Sequence, residues 1–222
     1  MKESIRPTRS VYVVDDDSDM RKSLRFLLAS SAITAWPFSA AADFVDQLPE
    51  LAPAPILLDI RMADIDGIEL LEILRERDVS WPVIVMTAHG DVSVAVRAMK
   101  LGAVEFIEKP FSPDLLENAL DQAFATLSQS MQAQHNRDQA RKVFGELTNR
   151  EREIVDLLMQ GVPNKLAAHR LGLSVRTVEM HRGNALAKLE VKSIAEVMAL
   201  AALADLVPPP QGAPVTPDTG NI

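Results

Sequence analysis

The sequence predicts an α/β doubly wound, five-stranded parallel sheet followed by a small all-α helix–turn–helix domain. In the first half of the chain, short apolar runs alternate with segments of helical periodicity, which is typical of parallel strands joined by crossover helices. In the second half, only the helical periodicity remains. A polar, glutamine-rich stretch, residues 128–142, separates the two patterns, so we expect two domains.

Five runs predict the strands. Four are apolar and rich in β-branched side chains, and they cover residues 11–14, 56–58, 83–86 and 106–107. The fifth, residues 33–38, is weaker because Pro37 interrupts it. Between the strands, apolar residues recur at helical spacing over residues 19–29, 40–48, 67–77, 92–101 and 113–127.

Composition excludes several classes of protein. The chain contains no cysteine, which excludes disulfides and thiolate metal sites and suits a reducing compartment. Its longest apolar run, residues 197–204, is too short to span a bilayer. The first nine residues lack the apolar segment of a signal peptide. We therefore expect a cytoplasmic protein with no membrane partner.

The net charge of −8 disfavours a nucleic-acid partner, but only if the charge is spread evenly. Residues 1–125 hold 12 Lys/Arg and 21 Asp/Glu, whereas residues 126–222 hold 11 and 10. Residues 165–192 carry six basic side chains against two acidic ones. The acidity thus belongs to the first domain, and the second keeps a basic surface.

Acidic residues, a threonine and a lysine follow the ends of the predicted strands: Asp15, Asp16, Asp59, Thr87 and Lys109. The carboxyl ends of parallel strands share one edge of the sheet, so these side chains should converge. A carboxylate can attack a phosphoryl group when a divalent cation, held by further carboxylates, cancels the repulsion between anions. We predict Asp59 as the nucleophile and a Mg²⁺ ion held by the acidic pair.

Four stretches within residues 10–125 resemble the receiver domain of bacterial response regulators, which has a flavodoxin-like fold: V-V-D-D-D, L-L-D-I-R-M-A-D-I-D-G, V-M-T-A-H-G-D and A-V-E-F-I-E-K-P-F. The resemblance implies that Asp59 is the phosphoacceptor. It implies that Mg²⁺ is bound by three carboxylates and one backbone carbonyl, those of Asp15, Asp16, Asp59 and Arg61. Ala63 stands where the family usually has proline, which predicts a looser loop after Asp59.

The same resemblance assigns the residues that respond to phosphorylation. Thr87 and Lys109 would contact the phosphoryl oxygens, and Thr87 and Phe106 would be the coupled switch residues. It also implies a cis peptide bond between Lys109 and Pro110.

The second half carries the helix–turn–helix pattern. Four helix starts are marked by residues that favour N-caps: Thr148, Asn164, Ser174 and Ser193. The wheel of the helix after Ser174 predicts one packed stripe, formed by Val178, His181, Ala185 and Leu189. The opposite face holds small and mixed polar side chains: Arg176, Glu179, Met180, Gly183 and Ala187. Such a face, flanked by cations, suits contact with DNA bases and phosphates.

Residues 147–206 resemble the DNA-binding domain of the NarL/FixJ/LuxR group, through T-N-R-E-R-E-I, G-V-P-N-K-L-A-A-H-R-L-G-L-S-V-R-T-V-E-M-H and L-x-V-K-S. The resemblance implies that Glu179, Met180 and Gly183 face the bases. It places five residues near phosphates: Lys165, Arg176, Thr177, Arg182 and Lys188. Relatives dimerise through the last helix, although here that helix could equally pack on its own domain.

These patterns divide the chain into a receiver domain (residues 1–127), a linker that is partly helical (128–145), a helix–turn–helix DNA-binding domain (146–207) and a disordered tail (208–222). The fifth receiver helix either extends into the linker and pairs with a second subunit or ends in a frayed segment. The sequence leaves both possibilities open.

We therefore expect a two-component response regulator. A sensor histidine kinase would phosphorylate Asp59, and phosphorylation would promote a homodimer that binds double-stranded DNA and regulates transcription. Activation, with RNA polymerase as a partner, rests on family analogy. We expect no enzyme, because a phosphatase with an aspartyl nucleophile needs a second acid where Arg61 stands. The alternative is a regulator that does not depend on phosphorylation and uses its receiver only to dimerise.

Overall fold

The computed structural model describes residues 9–88 and 92–206. The chain divides into two compact units, and the boundary in the sequence lies between Met131 and Gln132. The tail predicted as disordered, residues 208–222, lies outside the described residues. No helix in the described part of the chain is both long and apolar enough to cross a membrane.

The first unit contains the predicted five-stranded parallel sheet. Its strands are β1 (Arg9–Val14), β2 (Ile33–Phe38), β3 (Ile56–Asp59), β4 (Val83–Thr87) and β5 (Glu105–Glu108). They are arranged in the order β2-β1-β3-β4-β5, with every pair parallel. The strand β2, which was the weakest candidate, lies at the edge of the sheet. Pro37 is tolerated there because an edge strand has one side without ladder hydrogen bonds.

Five helices alternate with these strands: α1 (Ser18–Ser30), α2 (Ala41–Gln47), α3 (Gly67–Glu76), α4 (Val92–Lys100) and α5 (Pro113–Gly145). The alternation confirms the predicted doubly wound fold. Side chains of α1 and α5 pack on one face of the sheet, and those of α2, α3 and α4 pack on the other. Both faces are covered, which explains why the central strands are continuous apolar runs.

The helix α5 extends into the linker, which is one of the two possibilities that the sequence left open. It continues through residues 128–145, where we predicted a partly helical linker, and ends at Gly145. Near its end, Ala140 and Phe144 are buried in the core of the second unit. The last turns of α5 therefore belong structurally to the second unit.

Four further helices complete the second unit: α6 (Asn149–Met159), α7 (Asn164–Leu171), α8 (Val175–Lys188) and α9 (Ile194–Leu203). The predicted capping box is confirmed, because Thr148 and Glu151 exchange both of its hydrogen bonds. Ser174 and Ser193 cap α8 and α9 as predicted. The prediction for Asn164 is wrong: α7 begins at that residue, and Pro163 occupies the N-cap position.

Candidate functional site

The predicted acidic site lies at the carboxyl edge of the sheet. Asp15 directly follows β1, Asp59 ends β3, Thr87 ends β4 and Lys109 directly follows β5. Asp15, Asp59 and Thr87 are almost fully buried, with exposed fractions of 1%, 7% and 2%. Ionised carboxylates are rarely buried unless they are paired, so this burial indicates a built site.

Lys109 joins the two buried carboxylates. Its Nζ atom donates a hydrogen bond of 2.8 Å to Oδ2 of Asp15 and one of 2.6 Å to Oδ1 of Asp59. The second oxygen of Asp15, Oδ1, accepts a 2.8 Å hydrogen bond from the backbone N–H of Asp17. Three residues that are distant in sequence thus converge on one point, as predicted. The peptide bond between Lys109 and Pro110 is cis, which confirms that expectation.

Burial and ion pairing shift the pKa values of Asp59 and Lys109 in opposite directions. Burial raises the pKa of Asp59, and the hydrogen bond and charge of Lys109 offset only part of that effect. Burial works to lower the pKa of Lys109, but the hydrogen bonds and charges of Asp15 and Asp59 outweigh it, so the net shift is upward. The lysine is therefore held as an ammonium ion beside the carboxylates.

Three other predicted site residues are less buried than Asp15 and Asp59. Asp16 is exposed, directly after the buried Asp15, and Arg61 is exposed two residues after Asp59. Phe106 is half-buried and packs against the core on the face covered by α2, α3 and α4. The structure thus joins Asp15, Asp59 and Lys109 by hydrogen bonds, whereas in the described residues the Asp16 side chain makes no hydrogen bond or ion pair with them.

The donor set fits a hard cation such as Mg²⁺, which binds carboxylate and carbonyl oxygens. Two buried carboxylates converge on one position, and the Lys109 ammonium lies there. Among the described residues, no group of three or more histidine, aspartate or glutamate side chains stands ready as a complete metal site. A cation would therefore have to compete with Lys109 for Asp15 and Asp59.

The loop between Asp59 and α3 contains two features that the sequence analysis did not assign. Asp64 accepts a 3.0 Å hydrogen bond from the backbone N–H of Ala42, in the first turn of α2, whose own N-cap residue Ala40 has no capping side chain. Its carboxylate supplies this cap from the loop, which anchors the segment that Ala63 was expected to loosen. The signal was absent from the sequence pattern because the partners are 22 positions apart.

Gly67 fixes the other end of the same loop. A Cβ atom at this position would lie 2.4 Å from the carbonyl oxygen of Asp59 and 2.8 Å from Cα of Ile60. The backbone N–H of Gly67 donates a 2.9 Å hydrogen bond to the carbonyl of Ile60. Only glycine permits this close approach, so the start of α3 is held directly against the backbone of Asp59.

In the second unit, α8 presents the predicted faces. Val178, Ala185 and Leu189 are buried and His181 is half-buried, which confirms the packed stripe. The opposite face is exposed along its length, at Arg176, Glu179, Met180, Gly183 and Ala187. The exposed fraction of Met180 is 54%, so its apolar side chain is available for contact.

The predicted phosphate-contacting residues fall into two groups. Lys165, Arg176 and Arg182 form no ion pair with any residue in the described ranges. Lys188 instead donates a 2.7 Å hydrogen bond to Oε2 of Glu151 and a 3.3 Å one to the carbonyl of Glu146. Thr177 shares a 2.8 Å hydrogen bond with the hydroxyl of Ser174. Lys165, Arg176 and Arg182 are thus without an ion pair in the described ranges, whereas Lys188 is bonded to Glu151 and Glu146 of its own unit.

Comparison with known families matches both units. Residues 11–121 match the response regulator receiver domain, and residues 145–201 match the bacterial regulatory proteins of the luxR family. The transcriptional regulatory protein FixJ of Bradyrhizobium diazoefficiens is 41% identical over 201 residues, which cover 89% of this chain and 96% of that protein. FixJ of Azorhizobium caulinodans is 39% identical, covering 92% and 97%.

Solved structures agree with these relatives. The response regulator StyR superposes with a TM-score of 0.76 at 37% identity, covering 88% of this chain and 99% of that one. Full-length FixJ from B. japonicum gives a TM-score of 0.57 at 37% identity, covering 91% and 100%. The chain therefore belongs to the two-component response regulators of transcription that join a receiver domain to a LuxR-type DNA-binding domain.

Proposed function

We propose that Asp59 accepts a phosphoryl group from the phosphohistidine of a sensor kinase. A carboxylate oxygen of Asp59 attacks the phosphorus atom, the phosphorus–nitrogen bond breaks, and the imidazole leaves with the electron pair of that bond. The observation that carries this proposal is the convergence of buried Asp59 and Asp15 on the Lys109 ammonium, at 2.6 and 2.8 Å. An anion arriving at Asp59 would meet that fixed positive charge.

The neighbouring residues have separate roles in this step. Asp15, Asp16, Asp59 and the carbonyl of Arg61 would hold Mg²⁺, which neutralises charge on the phosphoryl oxygens when it is bound. Lys109 is placed to exchange its hydrogen bond with Asp59 for one to a phosphoryl oxygen. Thr87, buried at the end of the adjacent strand, would supply a hydroxyl to another oxygen.

Phosphorylation would then change the surface formed by α4, β5 and the start of α5. Thr87 and Phe106 lie on the adjacent strands β4 and β5, so movement of the threonine towards the phosphoryl group would alter the space beside the phenyl ring. The same surface exposes large apolar side chains at Val92, Val96, Met99 and Leu115. Burial of this patch favours a homodimer of phosphorylated chains.

The second unit would bind double-stranded DNA through α8. The free cations Lys165, Arg176 and Arg182 would contact phosphates, and the exposed face between them would meet the bases. Dimerisation aligns two copies of α8 on a two-fold site, which multiplies weak single contacts. Apolar side chains exposed on and just after α9, including Met198, Leu203 and Leu206, would extend the dimer contact.

The remaining assignments follow from these roles. We place the receiver in residues 1–127 and the DNA-binding domain in residues 146–207, with Ala140 and Phe144 contributing to the core of the latter. The protein would activate transcription with RNA polymerase and would have no enzymatic activity of its own. A regulator that ignores phosphorylation is disfavoured, because a receiver used only to dimerise would be expected to lose some of the site residues, whereas the complete set is present: Asp15, Asp16, Asp59, Thr87 and Lys109.

The test relates phosphorylation of the first unit to DNA binding by the second. DNA binding by the full chain is measured with and without a small phosphodonor and Mg²⁺, for the native sequence and for Asp59→Asn, together with oligomer size. We expect the phosphodonor to increase dimer formation and DNA affinity in the native protein alone. Equal responses in both proteins would exclude Asp59 as the residue that controls DNA binding.

A further inference from the structure

Gly183 lies in the interior of α8, where neither a close contact nor the backbone conformation requires glycine. Its backbone is helical rather than left-handed, and a Cβ atom at this position would meet no atom within 4 Å. Alanine would therefore fit. Glycine also destabilises a helix relative to alanine, because its backbone loses more freedom on folding. Neither packing nor backbone conformation accounts for this glycine, which leaves a role at the surface of α8.

The position of Gly183 indicates that role. It lies on the exposed face of α8, three residues after Met180 and opposite the buried side chains of Val178 and Ala185. On a helix, residues three apart are neighbours on one face. The exposed face therefore has a flat centre at Gly183, with the long side chain of Met180 beside it.

Met180 places a long apolar side chain on this exposed face, next to Gly183. More than half of its side chain is accessible, and it packs in neither of the two core clusters of the second unit. A thioether side chain is flexible and apolar, and it forms no strong hydrogen bond. Its complement is another apolar group.

In the major groove of DNA, the 5-methyl group of thymine is that apolar group, and the other base edges present hydrogen-bond donors and acceptors. We propose that Gly183 gives the clearance that lets α8 approach the base edges, and that Met180 then packs against the 5-methyl group of a thymine in each half-site. This inference rests on the proposed DNA-binding function. The flanking cations would set the position of the helix, and Met180 would contribute the preference for sequence.

The first test removes only the methyl group. A duplex bound by the phosphorylated full chain is selected from a randomised pool, and each thymine of one half-site is then replaced in turn by uracil. We expect one position at which uracil weakens binding by the native protein about fourfold, the change that corresponds to one buried methyl group. At that position, replacing thymine by uracil should weaken binding by Met180→Ala less than twofold.

The control variant is Met131→Ala. Met131 lies on α5 and is exposed to nearly the same extent as Met180, at 51%. It should show the same fourfold dependence on the methyl group as the native protein. If no thymine distinguishes the native protein from Met180→Ala, the contact between Met180 and a methyl group does not exist.

The second test separates clearance from stability. Gly183→Ala should raise the unfolding temperature of the second unit and weaken binding to the selected duplex. Gly145→Ala is the matched control, because a Cβ atom there also meets nothing within 4 Å and the residue lies outside α8. It should leave DNA binding unchanged. Binding by Gly183→Ala that equals or exceeds that of the native protein would overturn the role of Gly183.

These outcomes differ from a failure of the proposed function. If the pool yields no enriched duplex, the protein does not bind DNA with sequence preference, and both proposals fall. If a duplex is enriched but no thymine methyl group contributes through Met180, only the present inference falls.

Discussion

The ammonium of Lys109 lies 2.6 Å from Oδ1 of Asp59, although 50 positions separate the two residues. The same ammonium lies 2.8 Å from Asp15, so one cation serves two buried carboxylates. Charges buried in this way are stable only as a set, since removal of one member leaves the others uncompensated. Another cation could therefore replace Lys109 beside the two carboxylates only if it binds both, and an added phosphoryl oxygen on Asp59 would still find the Lys109 ammonium beside it.

Lys109→Ala tests this relationship. Without Mg²⁺ we expect the receiver to lose about 3 kcal/mol of unfolding free energy, because two carboxylates remain buried without a cation. Mg²⁺ should restore part of this loss. It should therefore raise the unfolding free energy of the variant more than that of the native protein. Urea unfolding with and without Mg²⁺ provides the measurement. A variant that is fully stable without Mg²⁺ would show that the carboxylates do not depend on Lys109.

Asp64→Ala should weaken the loop that follows Asp59. The variant loses the hydrogen bond to the N–H of Ala42 and leaves the start of α2 without a cap, which costs about 1 kcal/mol. Uptake of a phosphoryl group should be slower, because the loop that carries Arg61 is less fixed. Asp64→Asn keeps an acceptor oxygen and should recover most of both losses. Unchanged uptake by Asp64→Ala would mean that the cap has no part in positioning Asp59.

Glu151 gives the second unit a stability that depends on pH. Its pKa is lowered by the hydrogen bond from Lys188 and by the backbone N–H of Thr148. A carboxyl group with a lower pKa in the folded state stabilises the fold fully above the unfolded value of about 4.3, and the contribution is lost as the pH falls through the folded value.

Glu151→Gln keeps the capping position but removes the charge. Near neutral pH it should lower the unfolding free energy of the second unit by about 1 kcal/mol, because the ion pair is partly exposed. The difference from the native protein should begin to fall as the pH drops below about 4.3, and it should be lost as the pH passes through the lowered pKa of Glu151 in the folded state. Thermal unfolding followed by circular dichroism across this range measures it. A difference that stays constant with pH would contradict the assignment.

The salt dependence of DNA binding should distinguish Arg176 and Arg182, which form no ion pair in the described ranges, from Lys188, which is bonded to Glu151. Arg176→Ala and Arg182→Ala should each reduce the slope of log affinity against log salt by about one per protomer. Lys188→Ala should leave that slope nearly unchanged and lower the unfolding temperature, since Lys188 is bonded to Glu151. A reduced slope for Lys188→Ala would show that DNA draws this lysine away from Glu151, as the sequence resemblance first implied.

The sequence predicted the features that depend on local pattern. The central strands are buried on both faces, so their apolar runs were unambiguous, and their parallel order placed Asp15, Asp59 and Lys109 at one edge. The wheel of α8 likewise separated the buried Val178 and Ala185 from the exposed face. In each case, the periodicity of one element determines which side chains are buried.

The sequence did not predict features that depend on contacts between elements. The polar stretch after Leu127 contains no helix-breaking residue, and its helix is fixed further on by Ala140 and Phe144 in a different core. The bond from Lys188 to Glu151 joins α8 to α6 across 37 positions, and it changes the expected role of the lysine. Neither contact leaves a periodic signal, because each partner alone looks like an ordinary helix residue.

The most direct test of the central claim is to locate the phosphoryl group. The full chain is treated with a small phosphodonor and Mg²⁺, and its peptides are examined by mass spectrometry beside those of Asp59→Asn. We predict one phosphoryl group per native chain, on the peptide that contains Asp59, and none on the variant. Equal uptake by Asp59→Asn, or a phosphoryl group on a peptide without Asp59, would contradict the account.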